Sequence, residues 1–285
     1  MEQEGIRINK FLSEVGFCSR RKADELIEQG RVTINGKSPE MGTKVLPSDE
    51  VRVNGKLIKD NKEEKVYLAF NKPVGIECTT NQIVKGNIVD FINYPERIFP
   101  IGRLDKDSEG LILMTNDGDI VNKILRARNN NEKEYIVTVD HAVTDRFLAR
   151  MGNGVPILGT VTKKCRVEPI SKFTFRIFLT QGLNRQIRRM CEYFGYNVVG
   201  LKRIRIVNIS LDVPVGTYRH ITKKEMIELQ RLIGDSIKTE EGSCQKTRSK
   251  PLSTQPKVEK KRSDFKKRFS EPRPLKNERR KERGD

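Results

Sequence analysis

Tryptophan is absent from the 285 residues, histidine occurs only twice, and the five cysteines, Cys18, Cys78, Cys165, Cys191 and Cys244, stand far apart with no CxxC pair. Thiols scattered in this way build neither a zinc site nor a disulfide framework, so reduced cysteines and no metal are expected. With His141 and His220 alone, and no H-x-E paired with P-C-x-x-C, zinc deaminase chemistry and histidine-based acyl transfer both lack their parts. Long apolar runs are missing too. Nothing approaches the ~18 residues of a membrane span, and Met1 to Asn9 carries charges where a secretory leader would be apolar. A cytoplasmic protein without a membrane partner is the expectation.

Positive charge is what the chain has in excess. A formal net charge of +18 makes a polyanion the first partner to consider, because each Lys or Arg brought to a phosphate releases condensed counterions. The length suits one or two globular domains and a tail.

Near the start, Ile8, Phe11, Leu12 and Val15 share one helical face, and Ser19 offers an N-cap to a second helix that buries Ala23, Leu26 and Ile27. Val32 and Ile34 precede Asn35-Gly36, and Val51 and Val53 precede Asn54-Gly55, which reads as short strands with hairpin turns. The charged run Lys59 to Lys65 has no apolar anchor and reads as a linker. Beyond it, strand-like Val66 to Phe70, Leu111 to Met114, Tyr135 to Val139 and Phe173 to Thr180 alternate with helical stretches, as in an α+β domain on a mixed or antiparallel sheet. In the last strand Phe173, Phe175, Ile177 and Leu179 line one face, and Phe178 is the exception on the polar one. After Gly234 apolar residues become sparse, and residues 235–285 hold 17 Lys and Arg against 9 Asp and Glu, the composition of a disordered basic tail.

Four segments carry candidate chemistry. Gly102-Arg103-Leu104-Asp105-Lys106-Asp107-Ser108-Glu109-Gly110 is a glycine-bounded polar loop just before an apolar strand, in which Asp105 and Asp107 read as turn formers or as metal ligands, the turn reading being favoured for isolated loop aspartates. Asn71-Lys72-Pro73 with Gly75 follows one strand, and Lys133-Glu134-Tyr135 opens another. Gln181-Gly182-Leu183-Asn184-Arg185-Gln186-Ile187-Arg188-Arg189-Met190 turns into a helix that buries Ile187, Met190, Cys191 and Phe194. That spacing sets Arg185, Arg188 and Arg189 off the main apolar face, where Glu192 is a surface partner within reach of Arg188. Arg20, Arg21 and Lys22 read either as a solvated helix end or as phosphate contacts.

Ile6 to about Ile58 resembles an S4 RNA-binding domain, most closely in Ser19-Arg20-Arg21-Lys22-Ala23-Asp24 and Gly30-Arg31-Val32-Thr33-Ile34-Asn35-Gly36-Lys37. The four segments after Val66 occur in the order seen in the RsuA/RluF-type pseudouridine synthases. Asp119 to Arg126 and Gly154 to Cys165 are similar to the RluF type, which modifies 23S rRNA.

The resemblance implies domains at 1–60 (S4-like) and 66–234 (synthase), and composition sets the linker at 61–65 and the tail at 235–285. It makes Asp105 the essential aspartate, Tyr135 the active-site aromatic and Arg188, in preference to Arg185, the partner of that aspartate. An adjacent guanidinium stabilises an ionised carboxylate. Arg103, Ile187, Arg185, Arg20, Arg21, Lys22 and Arg31 are the implied RNA contacts, with Tyr135 and Ile187 walling the pocket. The implied reaction flips a uridine out of folded RNA, detaches uracil from C1′ and rejoins it through C5. Attack on C1′ and proton abstraction from the sugar both need the ionised aspartate. Such an isomerisation calls for no cofactor, and the partner is ribosomal RNA, 23S foremost, or a large-subunit assembly intermediate met by a monomer. Two rivals are a catalytically inactive ribosome-assembly protein and a Mg²⁺ nuclease using Asp105, Asp107 and Asp117 or Asp119.

Overall fold

A computed structural model describes residues 5–59, 64–125 and 131–234. The expected tail, 235–285, and most of the expected linker lie outside the described residues. Among the described residues no helix is long and apolar enough to cross a membrane.

The N-terminal module contains β1 (Ile6–Arg7), α1 (Ile8–Glu14), α2 (Arg20–Glu28), β2 (Val32–Ile34), β3 (Lys44–Val45), β4 (Val51–Val53) and β5 (Lys56–Leu57). The Ser19 hydroxyl accepts from the Lys22 amide at 3.2 Å, as the cap requires. Asn35 and Asn54 adopt left-handed backbone, which lets each Asn-Gly pair turn tightly. Order β2-β4-β5 makes a small antiparallel sheet, and β1 pairs β3. Ile8, Leu12, Ala23, Leu26, Ile27, Val32, Val45, Val51 and Val53 close a separate core. Two helices and a small sheet thus appear where the hydrophobic spacing put them.

The larger part comprises β6 (Tyr67–Lys72), α3 (Ile88–Ile92), β7 (Phe99–Pro100), β8 (Glu109–Thr115), α4 (Gly118–Leu125) and β9 (Lys133–Val139). It continues through α5 (Asp145–Gly152), β10 (Pro156–Ile157), β11 (Thr160–Val161), β12 (Arg166–Ser171), β13 (Thr174–Leu179) and α6 (Gln186–Tyr193). It ends with β14 (Val198–Ile206), β15 (Ile209–Ser210), β16 (Tyr218–His220) and α7 (Lys223–Leu232). One mixed sheet runs β12-β13-β9-β14-β8-β6-β16, with β15 added to β14 and β7 to β8. All its pairs are antiparallel except β14 with β8, which is parallel, so the expected mixed sheet is present.

Helices cover both faces. On one, Phe70, Ile112, Met114, Tyr135, Val137, Phe175, Ile177 and Leu201 pack against Ile88 of α3, Phe147 and Met151 of α5 and Ile187, Met190 and Cys191 of α6. On the other, Ala69, Leu111, Leu113, Ile206 and Ile209 meet Ile120 and Ile124 of α4 and Leu229 of α7. A strand sandwiched in this way has no solvent face, which is why β8 reads as an unbroken apolar run rather than an alternating one. Strand β13, paired on both sides, differs from expectation at two residues. Phe173 sits in the β12–β13 turn and is exposed, while Phe178, the apparent exception, is buried under the Arg166 guanidinium 3.6 Å from its ring centroid.

Candidate active site

The polar loop runs from Gly102 into β8 and is gripped from two sides. Within it the Ser108 amide donates to the Asp105 carbonyl at 3.0 Å, a tight turn that presents the Asp105 side chain. From below, the Leu104 amide donates to the Cys78 sulfur at 3.4 Å, and the Gly75 amide donates to the Lys106 carbonyl at 2.8 Å. Lys72, fully buried, donates to the Pro73 and Ile76 carbonyls at 2.8 Å each and more weakly to Lys106 at 3.4 Å. Burial pushes its ammonium down, and the charges of Cys78, Asp107 and Asp105 oppose that. The segment Asn71 to Gly75 is therefore a clamp for the loop that carries Asp105.

The second grip comes from α6. Arg185 sits at its N-terminus in left-handed backbone, and its guanidinium donates to Asp107 Oδ2 at 3.2 and 3.3 Å. That bond holds the Asp107 carboxyl below its usual range. Arg188 is not on the surface with Glu192, as the helical spacing allowed. It is 7% exposed, and donates to the Val198 carbonyl (3.0 Å), the Asp107 carbonyl (2.9 Å) and the Ser108 hydroxyl (3.2 Å). The buried carbonyls of the loop and of β14 draw it inward, since a guanidinium offers five donors in fixed directions.

Asp105 lies between these two arginines without a hydrogen bond to either. Its Oδ2 is 3.8 Å from Arg185 Nη1 and 4.0 Å from Arg188 Nε, and that Nε is buried with no partner of its own. The carboxylate is thus steadied by charge while its oxygens stay open, with the side chain 30% exposed. An anion held this way is free to engage a substrate atom.

Tyr135, on β9, is 9% exposed and shares the core cluster with Ile187. Its strand partner on β14 is Arg203, which is also the parallel partner of Gly110 at the loop's exit. Arg203 therefore ties the aromatic to the aspartate loop. Arg103 is exposed next to Asp105. The module residues Arg20 and Arg21 are exposed on α2, Lys22 pairs with Glu25 at 2.8 Å, and Arg31 donates to Asn54 and Gln29, so these form a second basic region rather than part of the Asp105 cluster. Asp117 is occupied by Tyr67 and Lys65, and Asp119 by Lys10. Among the described residues, no three His, Cys, Asp or Glu side chains are grouped to hold a metal ion.

Two buried cations escaped the sequence reading as site residues. Lys72 stood inside a quoted motif, but no pattern reveals that its ammonium would be spent on loop carbonyls. Arg203 lies on β14 in a stretch where no sequence motif pointed to a site residue. Arg203 shares the inward face of Leu201, paired with Tyr135 two residues after Leu201 pairs with Val137.

Lys133, two residues before Tyr135 on the same strand face, is a third buried cation, 8% exposed. Burial, with repulsion from Arg203, pushes it down to about 8 from the usual 10.5. The folded chain then binds fewer protons than the unfolded one between pH 8 and 10.5, so stability rises with pH across that window. Below pH 8 the cost of the buried charge is fully present. We predict that Lys133→Met is the more stable protein at pH 7, and that its advantage shrinks by about 3 kcal/mol by pH 10.5. Urea unfolding of both proteins across that range checks this; a constant difference would contradict it.

Comparison with known proteins identifies this arrangement. Residues 66–193 match the RNA pseudouridylate synthase family and residues 6–51 the S4 domain. The chain is 58% identical over 238 residues to the dual-specificity RNA pseudouridine synthase RluF of Escherichia coli O6:H1, covering 83% of this chain and 82% of the relative. It is 38% identical to the ribosomal large subunit pseudouridine synthase B of Bacillus subtilis (strain 168), covering 79% and 96%. A solved pseudouridylate synthase superposes with a TM-score of 0.59 at 30% identity, covering 79% of this chain and 99% of that one. With its S4 module, its synthase domain and identity of this order across most of both chains, the protein belongs to the RNA pseudouridine synthases of the RsuA/RluF type.

Proposed function

We propose that this pseudouridine synthase acts on a uridine of 23S rRNA, in the cytoplasm and as a monomer, with Asp105 as its essential carboxylate. The observation that carries the site assignment is the placement of Asp105 between Arg185 and Arg188 at 3.8 and 4.0 Å, with its oxygens unbonded. Two relatives support the substrate: one is a ribosomal large subunit pseudouridine synthase, and another is a dual-specificity RNA pseudouridine synthase.

A stacked uridine hides its glycosidic bond, so the nucleotide leaves the helix at a cost of a few kcal/mol. Tyr135 and Ile187 wall the uracil, and Arg103, exposed beside Asp105, contacts the opened RNA backbone. Asp105 then acts at the sugar, with the Arg188 and Arg185 guanidiniums on either side of it. Uracil departs from C1′ as the C1′–N1 bond breaks, turns within the closed pocket and bonds to C1′ through C5. Its escape is prevented by the surrounding core. Arg20, Arg21, Lys22 and Arg31 supply a second grip on RNA phosphates from the N-terminal module, which we place at 1–60, with the synthase domain at 66–234 and a basic arm at 235–285.

The test is incubation of purified protein with unmodified 23S rRNA and, separately, with tRNA, followed by carbodiimide treatment and primer extension. A reverse-transcription stop at one 23S position is the expected result. A stop in tRNA alone would move the substrate, and RNA binding without any stop would point to a ribosome-assembly role.

A further inference from the structure

Beside Tyr135 two buried cations, Arg203 and Lys133, form no ion pair among the described residues. Arg203 is 3% exposed, makes one hydrogen bond, to the Leu111 carbonyl at 2.7 Å, and leaves its Nη2 buried with no partner. Its guanidinium carbon is 6.0 Å from the Tyr135 ring centroid. Lys133, on the same face of the neighbouring strand, donates to the Asn131 carbonyl at 3.2 Å and, among the described residues, to no other group. Nearby carboxylates are already engaged: Glu109 by Lys202, Glu134 by Arg205 and Arg176, Glu132 by Arg205 and Asp107 by Arg185. Burying a guanidinium without a counter-charge is costly, and a hydrophobic residue of similar size would avoid that cost.

We infer that Arg203 is a positioning residue for the reaction, holding Tyr135 and supplying from behind it the positive field that stabilises the detached uracil. This rests on the function proposed above. When the C1′–N1 bond breaks, its electron pair stays with the base and spreads over N1, O2 and O4. The C1′–C5 bond then forms, C5 loses its proton and N1 gains one. No electron is exchanged with a second reagent. Between those steps the base is an anion enclosed in a pocket of low polarity, where a fixed cation acts strongly without reorganising. The counter-charge that Arg203 lacks in the free protein is thus brought by the reaction itself.

The test measures single-turnover breakage of the C1′–N1 bond at the target nucleotide, read as loss of the parent nucleoside after digestion, by wild type, Arg203→Lys and Arg203→Gln, in RNA carrying uridine or 5-fluorouridine there, because the final loss of the C5 proton is possible on uridine alone. Fluorine stabilises the uracil anion by itself and reduces the help required. We expect Arg203→Gln to slow conversion of uridine about 30-fold at saturating RNA, with unchanged RNA affinity, Arg203→Lys to restore most of the rate, and the Gln defect to shrink severalfold on 5-fluorouridine. Equal defects on both substrates, or no rescue by Lys, would mean that Arg203 only supports the fold. A wild-type rate matched by both variants would also overturn the inference. Arg203→Lys retains charge and bulk and keeps the test decisive if Arg203→Gln fails to fold. Wild-type protein inactive on every RNA would instead reject the proposed function, and this inference with it.

Discussion

Asp105→Asn protein forms no measurable pseudouridine, a loss of about 10⁴-fold or more, and folds as well as wild type. The amide keeps the shape of the carboxylate but has no charge with which to attack the sugar or take its proton. Because Asp105 makes no hydrogen bond through its side chain and is 30% exposed, little of the fold depends on it. Arg188 keeps its bonds to the Asp107 carbonyl and Ser108, and Arg185 keeps Asp107. The loss of a weak, partly solvated charge contact changes stability by about 0.5 kcal/mol or less. Tritium release from RNA labelled at uracil C5, read beside a thermal melt, separates the two effects. Activity within tenfold of wild type would remove Asp105 from the chemistry, and a melting point many degrees lower would make its role structural.

Gly110→Ala is the second large effect, and it acts on the fold rather than on the chemistry. Gly110 has φ +108°, and a Cβ placed there would stand 2.3 Å from the Arg203 carbonyl oxygen and 2.7 Å from its amide nitrogen. Both obstacles are backbone, so no side-chain rotation relieves them. The substitution forces β8 and β14 apart at the point where the aspartate loop enters the sheet. Strain at that φ and overpacking together cost roughly 3–5 kcal/mol, a fall in melting temperature of roughly 10 °C for a domain of this size. Gly55→Ala is the control. It shares the positive φ but meets nothing within 4 Å, so only the backbone cost of about 1 kcal/mol remains. Similar melts for the two variants would show that the strands separate without penalty.

Much of this fold was legible because period and turn chemistry are local. Phe175, Ile177 and Leu179 marked a strand face, Ser19 a helix start, and the Asn-Gly pairs their turns. The candidate site was legible as motifs, and the loop from Gly102 and the segment around Arg188 do meet. Burial of charge could not be seen. Whether Arg188 faces Glu192 or the interior is decided by a carbonyl 81 residues away, and nothing in one helix encodes that. Lys72 spends its ammonium on loop carbonyls for the same reason. Arg203 was hidden more thoroughly, since it stands two residues from Leu201 on the buried face of its strand, and a charged residue there gives no local sign that its side chain is enclosed.

The parallel pairing of β8 with β14 has a consequence for the order in which the protein becomes an enzyme. Asp105 is synthesised early, but Arg188 comes 83 positions later, and the strand that backs Gly110 is complete only at Ile206. An emerging chain that stops short of this point carries its reactive carboxylate on a loop with one side missing. The RNA-binding module at the front is by then fully made, built from contacts within its own first sixty or so residues. The capacity to hold RNA thus precedes the capacity to alter it, and a truncated product binds without modifying.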